Sequence, residues 1–179
     1  LPVGFELSFG LPLDAAHDRA SVAEPVTLEE GITLRGAVDL VEQSGGRLRA
    51  TDHKTGAYPT WPGGLIAGGK SLQPVLYARA LEVLYPDKVI AGGRLYYCTS
   101  RGHFEERHVP LSREARDAVS VVAAAVRESI GAGFLPALPE DGACERCDYR
   151  SVCGPSETRR VARKQRRGTA PIRRLRKLP

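Results

Sequence analysis

Apolar residues alternate with polar ones across residues 31–42, GITLRGAVDLVE, so that Ile32, Leu34, Val38 and Leu40 fall on one face of an extended chain. Ser44, Gly45 and Gly46 supply a turn, and residues 47–54, RLRATDHK, read as a second strand. Residues 55–69 are rich in Gly and Pro and are expected to be mostly loop. A helix is predicted from Ser71 to Tyr85, with Ser71 as its N-cap, Leu72, Val75, Leu76 and Leu84 as apolar positions, and Pro86 as its stop. Residues 93–99 and 103–109 predict a hairpin joined through Arg101 and Gly102. A longer helix follows from Ser112 to Ile130, where Val119, Val122, Ala123, Val126 and Ile130 form a stripe suited to core packing. Strands and helices alternate without an internal repeat, which predicts an α/β or α+β domain.

The chain has 179 residues, enough for one domain with a real core, and 42% apolar with 26% charged residues describes a globular chain. No apolar run approaches the roughly 18 residues needed to span a bilayer, and the start, LPVGFELSFG, lacks the features of a secretory signal. No membrane association is expected, and the cytoplasm is the expected compartment. Because Leu1 opens a chain without any Met, an excerpt is expected, with polypeptide upstream of Leu1.

Charge divides the chain. Residues 157–179 hold ten Lys or Arg against one acid, Glu157, so this tail is about +9 and the body about −4. The domain is therefore drawn as 1–156, and the tail as 157–179. Arg159, Arg160, Arg163, Lys164, Arg166 and Arg167 suit phosphate neutralisation with counterion release, or docking on an acidic neighbouring domain.

The chemistry gathers on the first hairpin. Asp39 ends a mostly apolar strand and Asp52-His53-Lys54 ends its neighbour. Side chains alternate along a strand, so Asp52 and Lys54 project together while His53 points away. Two carboxylates side by side repel unless a cation holds them, and hard oxygen donors favour Mg²⁺ or Mn²⁺. Such an ion polarises a phosphate and activates water, and Lys54 is suited to orienting the nucleophile and stabilising developing charge. Asp-x-Lys by itself is short and common, and taken alone reads more readily as a surface ion pair.

Three spaced motifs, however, occur in order: Gly36 to Asp39 as G-x-x-D, Asp52 to Gly56 as D-x-K-T-G, and Gln73 to Tyr77 as Q-x-x-x-Y. This set resembles the RecB-like branch of the PD-(D/E)XK nucleases. The resemblance implies a restriction-endonuclease-like core, a mixed central sheet flanked by helices. It implies Asp39 and Asp52 as metal ligands, the carbonyl of His53 as a further ligand, and Lys54 as the catalytic lysine. Gln73 and Tyr77, four apart on a helix, share one face and are expected to point toward DNA or the active site. The implied activity is metal-dependent DNA exonuclease cleavage in repair or recombination, on single-stranded ends delivered by a helicase domain or subunit. A catalytically inactive DNA-binding module stapled by iron-sulfur or zinc is the alternative.

Cys144, Cys147 and Cys153 form C-x2-C-x5-C, which resembles the iron-sulfur staple of the AddB and CRISPR-adaptation nucleases. A 4Fe-4S cluster needs four thiolates, and by resemblance the fourth lies upstream of Leu1; zinc on the triplet is the other possibility. Cys98, in GRLYYCT, reads as a buried structural Cys. The family's N-terminal helix with a His or Glu near the metal is not visible, and Glu6 reads as an exposed strand residue more than as a substitute. Tyr58 and Trp61 suit stacking on unpaired bases or anchoring the loop.

Overall fold

The computed structural model describes residues 1–60, 63–164 and 166–179; Trp61 lies outside the described residues, as do the side chains of Arg166 and Arg167. Strands β1 (Pro2–Phe9), β4 (Gly36–Ser44), β5 (Arg47–Lys54), β6 (Val89–Tyr97) and β7 (Glu106–Pro110) form one five-stranded sheet in the order β1-β4-β5-β6-β7. All neighbours are antiparallel except β5 and β6, which are parallel. A parallel pair needs a crossover, and α1 (Gln73–Leu84) provides it, packing on β5 and β6. A two-residue pair, β2 (Val26–Thr27) with β3 (Thr33–Leu34), stands beside the sheet. Helix α2 (Arg113–Gly131) follows β7, and three short helices close the chain: α3 (Arg150–Cys153), α4 (Glu157–Ala162) and α5 (Arg166–Leu175). This is the mixed α/β sheet expected of a restriction-endonuclease-like core. No helix of the described residues is long and apolar enough to cross a membrane.

One sheet face is the core. Leu7, Phe9, Val38, Val41, Leu48 and Ala50 meet Val75, Ala78 and Leu81 of α1 there, all buried. The opposite face of β4 to β7 is covered by a polar lattice. The Glu42 carboxylate accepts from Thr51 Oγ1 at 2.5 Å, Arg94 at 2.7 Å and Arg49 at 3.2 Å, and Arg94 reaches on to Glu106 at 2.9 Å. Burial pushes the Glu42 carboxyl up, but the Thr51 hydroxyl and the two guanidiniums hold it below the ordinary carboxylate range. The lattice ties four strands in register, which keeps the ends of β4 and β5 side by side.

Several boundaries differ from the sequence expectation. Residues 31–42 are not one strand: residues 33–34 pair with β2, and the sheet strand starts at Gly36. Within it, Val38 and Val41 are both buried, so the in-out alternation slips at Asp39 and Leu40, and Leu40 pairs outward with Thr51. The slip lies opposite Glu6, whose φ of 51° kinks β1. Ser71 is not the N-cap of α1. Leu72 holds that position without a side-chain cap bond, and Ser71 is buried in the preceding turn. Ser112 does cap α2, accepting from Ala115 N at 3.3 Å, but Val126 and Ile130 are 42% and 63% exposed, so only the first half of the stripe is core.

The start of α1 is pressed onto the sheet. A Cβ built on Gly93 of β6 would lie 2.1 Å from the carbonyl oxygen of Pro74. Gly93→Ala is therefore expected to destabilise the fold by about 1–3 kcal/mol, lowering Tm by roughly 2–10 °C. Gly131→Ala, where an added Cβ meets nothing within 4 Å, is expected to be neutral or slightly stabilising. Denaturant and thermal unfolding of the two variants check this contrast.

Candidate active site

The alternation that sends Leu48 and Ala50 into the core sends Asp52 and Lys54 to the same face, at the C-terminal end of β5. Asp52 is 5% exposed. Its Oδ1 accepts from Gln73 Nε2 at 2.8 Å, and its Oδ2 lies 2.7 Å from Lys54 Nζ. Lys54 Nζ in turn donates to Gln73 Oε1 at 2.6 Å. The three side chains close a ring. Its chemistry fixes the Gln73 amide, since only the carbonyl accepts from an ammonium and only the NH₂ donates to a carboxylate. Tyr77, one turn on, touches the ring weakly, with its hydroxyl 3.5 Å from Gln73 Nε2, and packs edge-on against Phe9.

Asp39 enters from β4. Its Oδ2 accepts from the backbone N–H of His53 at 2.7 Å, and the His53 Nδ1 stands 3.6 Å away. The His53 ring alternates away from Asp52 and meets Tyr96 edge-on with ring centroids 5.9 Å apart, yet its Nδ1 stays beside the Asp39 carboxylate. Asp39 and Asp52 are close enough to interact electrostatically. Burial pushes the Asp52 carboxyl above its ordinary value; Lys54 opposes this by hydrogen bond and charge, and Asp39 adds to the rise.

A divalent cation fits this donor set. The buried Asp52 Oδ2 is met by the Lys54 ammonium at 2.7 Å and by no other donor among the described residues. A carboxylate oxygen left in that state, beside a second carboxylate, is a hard anionic pair suited to Mg²⁺ or Mn²⁺. The set holds two carboxylates only: among the described residues no three His, Cys, Asp or Glu side chains are grouped to hold a metal ion.

Sequence reasoning missed Arg107. It projects from β7 on the face of Asp52 and Lys54, is 7% exposed, and its guanidinium lies 5.3 Å over the Tyr58 ring, which meets Tyr97 edge-on at 5.0 Å. The available signal was its phase, since Arg107 alternates with Val109 and so belongs to an apolar face. Tyr58 thus anchors the loop after Lys54 in the free protein.

Cys144, Cys147 and Cys153 lie far along the chain, on a short turn and α3, and line one cleft of about 440 Å³ with Leu138 and Val161. All are free thiols, Cys147 and Cys153 exposed and Cys144 partly so. Cys98 is not fully buried; it follows the last residue of β6, with its Sγ 3.6 Å from the Lys54 carbonyl.

A mixed sheet whose crossover helix completes a two-carboxylate and lysine centre defines a class of phosphodiester hydrolases. Residues 1–154 match the PD-(D/E)XK nuclease superfamily, and the chain belongs to it. It is similar to the Gene 69 protein of Mycobacterium phage D29, 29% identical over 126 residues, covering 69% of this chain and 44% of the phage protein. It is also similar to the Gene 69 protein of Mycobacterium phage L5, 28% identical over 143 residues, covering 78% of this chain and 46% of that protein. The chain thus spans less than half the length of these relatives.

The raised carboxyl of Asp52 has a consequence for stability. With the folded-state pKa above the unfolded one, the folded chain holds the extra proton in the window between them, so stability falls as pH rises through that window and stays lower above it. Asp52→Asn, which mimics the protonated form and keeps an acceptor for Gln73, is expected to raise Tm at neutral pH and to flatten its fall above the ordinary carboxylate range. A lower Tm for Asp52→Asn at pH 7 would contradict the sign.

Proposed function

We propose that the chain is a metal-dependent deoxyribonuclease domain that hydrolyses phosphodiester bonds at DNA ends during repair or recombination in the cytoplasm. The observation that carries this reading is the ring of Asp52, Lys54 and Gln73 beside Asp39. Asp39, Asp52 through its Oδ2, and the His53 carbonyl are the groups that would hold Mg²⁺ or Mn²⁺. When bound, the ion would polarise the scissile phosphate and lower the pKa of a water. Lys54 is held by two acceptors, so its ammonium is pre-aimed to orient the attacking water and to stabilise charge building on the phosphate. Gln73 keeps Lys54 from collapsing onto Asp52 alone. Tyr77 supports Gln73 from the next turn.

Exonuclease action on single-stranded ends, and a helicase domain or subunit that delivers them, extend this reading from the motif resemblance. So does a cluster at Cys144, Cys147 and Cys153. The three thiols line one cleft but are not grouped closely enough there to hold a metal ion, so the clamp, either a 4Fe-4S cluster completed by a ligand outside these residues or zinc, rests on the C-x2-C-x5-C resemblance alone. A catalytically inactive DNA-binding module is the competing reading. It leaves the cost of burying Asp52 without a return.

Asp52→Ala and Lys54→Ala are each expected to lower Mg²⁺-dependent cleavage of linear single-stranded DNA about 10²- to 10³-fold, roughly 3–4 kcal/mol, with DNA affinity retained. Near-normal cleavage by Asp52→Ala would falsify the assignment, and equal cleavage of linear and circular single strands would remove the exonuclease part. For the clamp, Cys147→Ser in the full-length protein is expected to release metal and lower Tm. Absorption and metal analysis separate brown iron-sulfur from colourless zinc, and a wild-type protein with neither metal ends the clamp reading.

A further inference from the structure

Lys54 and Gln73 hold one another, yet 18 residues of chain separate them, and the second half of that connection is a tight turn leading straight into α1. Ile66 is fully buried at the start of this turn, and its carbonyl accepts from Gly69 N at 2.9 Å and Ser71 N at 3.1 Å. Ala67 at φ 47°, Gly68 at 64° and Gly69 at 94° are left-handed. For Ala67 that conformation costs of order 1 kcal/mol and needs outside support.

The support comes from the far end of the chain. Three successive amides of the turn donate to it: Ile66 N and Ala67 N to the Pro179 carbonyl at 2.8 and 3.0 Å, and Gly68 N to the Leu178 carbonyl at 2.9 Å. The fit is close enough to exclude side chains. A Cβ on Gly64 would lie 2.4 Å from the Pro179 carbonyl carbon, on Gly68 2.9 Å from the Arg176 carbonyl oxygen, and on Gly69 2.5 Å from a Leu175 methyl. Leu175 and Leu178 pack against the core, and α5 behind them is tied to α2, with Thr169 fully buried and Arg174 paired with Glu128.

We infer that residues 175–179 form a positioning strap that sets the start of α1 and thereby holds Gln73 against Asp52 and Lys54. The inference rests on the nuclease reading of that ring. Helix α1 has no side-chain N-cap of its own, so its first turn is located by what lies before it and by the contact of Pro74 with Gly93. Without the strap, three amides lose their acceptors and the strained turn relaxes. Gln73, the first residue of the helix, shifts with it, and Lys54 is left to pair with Asp52 alone. The strap belongs to the basic segment, but it meets the turn through backbone oxygens and apolar side chains and not through its Lys and Arg side chains.

Gly68→Val tests this without altering any charge, because the added side chain meets the Arg176 backbone; Leu178→Asp attacks the same seat from the other side. In both, exchange of the Ile66, Ala67 and Gly68 amides is expected to accelerate tenfold or more, and the NMR signal of the Gln73 side-chain amide to shift. The kcat for single-stranded DNA should fall about 10- to 100-fold, as for a misplaced catalytic group, with KM and the salt slope of binding nearly unchanged. A synthetic peptide of residues 172–179 should restore part of the kcat of Leu178→Asp. If a variant does not fold, the milder Leu178→Ala, assayed the same way, is expected to show the same directions. Exposed amides with a normal kcat and an unmoved Gln73 signal would overturn the strap. A rise in KM with constant kcat would overturn it too, making the segment a DNA contact. A wild-type chain inactive on DNA would instead refute the nuclease reading, and the Gln73 signal alone would then decide whether strap and ring are coupled.

Discussion

A carboxylate buried at the end of a strand is expensive unless charge and hydrogen bonds compensate it, and Asp52 is buried in that way. One amide does much of the compensation. Gln73 gives Asp52 a donor and Lys54 an acceptor, so it stabilises both charges without adding one. A Glu at this position would repel Asp52, and an Asn would fall a methylene short. Much of the architecture serves to bring that amide to the end of β5. The parallel crossover from β5 through α1 to β6 puts the helix start above the strand end, the missing side chain at Gly93 lets the helix sit close, and the polar lattice around Glu42 keeps β4 alongside. Sites at the carboxyl ends of parallel strands are common in open sheets for this geometric reason.

Two pairs within the site were legible in the sequence because their geometry is local, whereas the junction of Gln73 with Asp52 and Lys54 is made by the tertiary fold. Residues two apart on a strand and four apart on a helix share a face whatever the tertiary fold, so Asp52 with Lys54 and Gln73 with Tyr77 paired correctly. Strand β1 was legible at Glu6, an exposed strand residue, but its facing was not. Leu7, Ser8 and Phe9 are all buried while Val3 and Phe5 are exposed, because the strand changes face at the left-handed Glu6, and no single period describes it. The same slip displaced Leu40 from the core and re-aimed Asp39, a tertiary event with no local signature. Ser71 resembled a cap because serine is a good one, but the turn held by Leu178 and Pro179 locates the helix instead. Contacts between residues a hundred positions apart leave no periodic trace.

The basic segment shows the same limit from another side. Composition separated it from an acidic body, and charge alone suggested a partner for it outside the domain. Its helix α5 packs on α2, and ion pairs such as Arg174 with Glu128 let the body neutralise part of the segment. Net charge is a statement about encounter and solubility, and it does not say which surface a segment rests on. Apolar anchors decide that, and here they are Leu175 and Leu178.

The electrostatics of the ring also bear on the choice between an enzyme and a passive DNA-binding module. Asp39 and Asp52 outnumber Lys54 in the ring, Arg107 on the same face offsets one of the charges, and under the proposed function both carboxylates face a polyanion. For binding alone that is counterproductive: each carboxylate repels phosphate, and burial with the neighbouring Asp39 disfavours the charged form of Asp52. A module under no demand but affinity and stability would be improved by an amide at either position. Proteins retain such local costs where function needs them, and paired carboxylates that repel phosphate until a cation bridges the two are what the proposed metal-assisted hydrolysis would require.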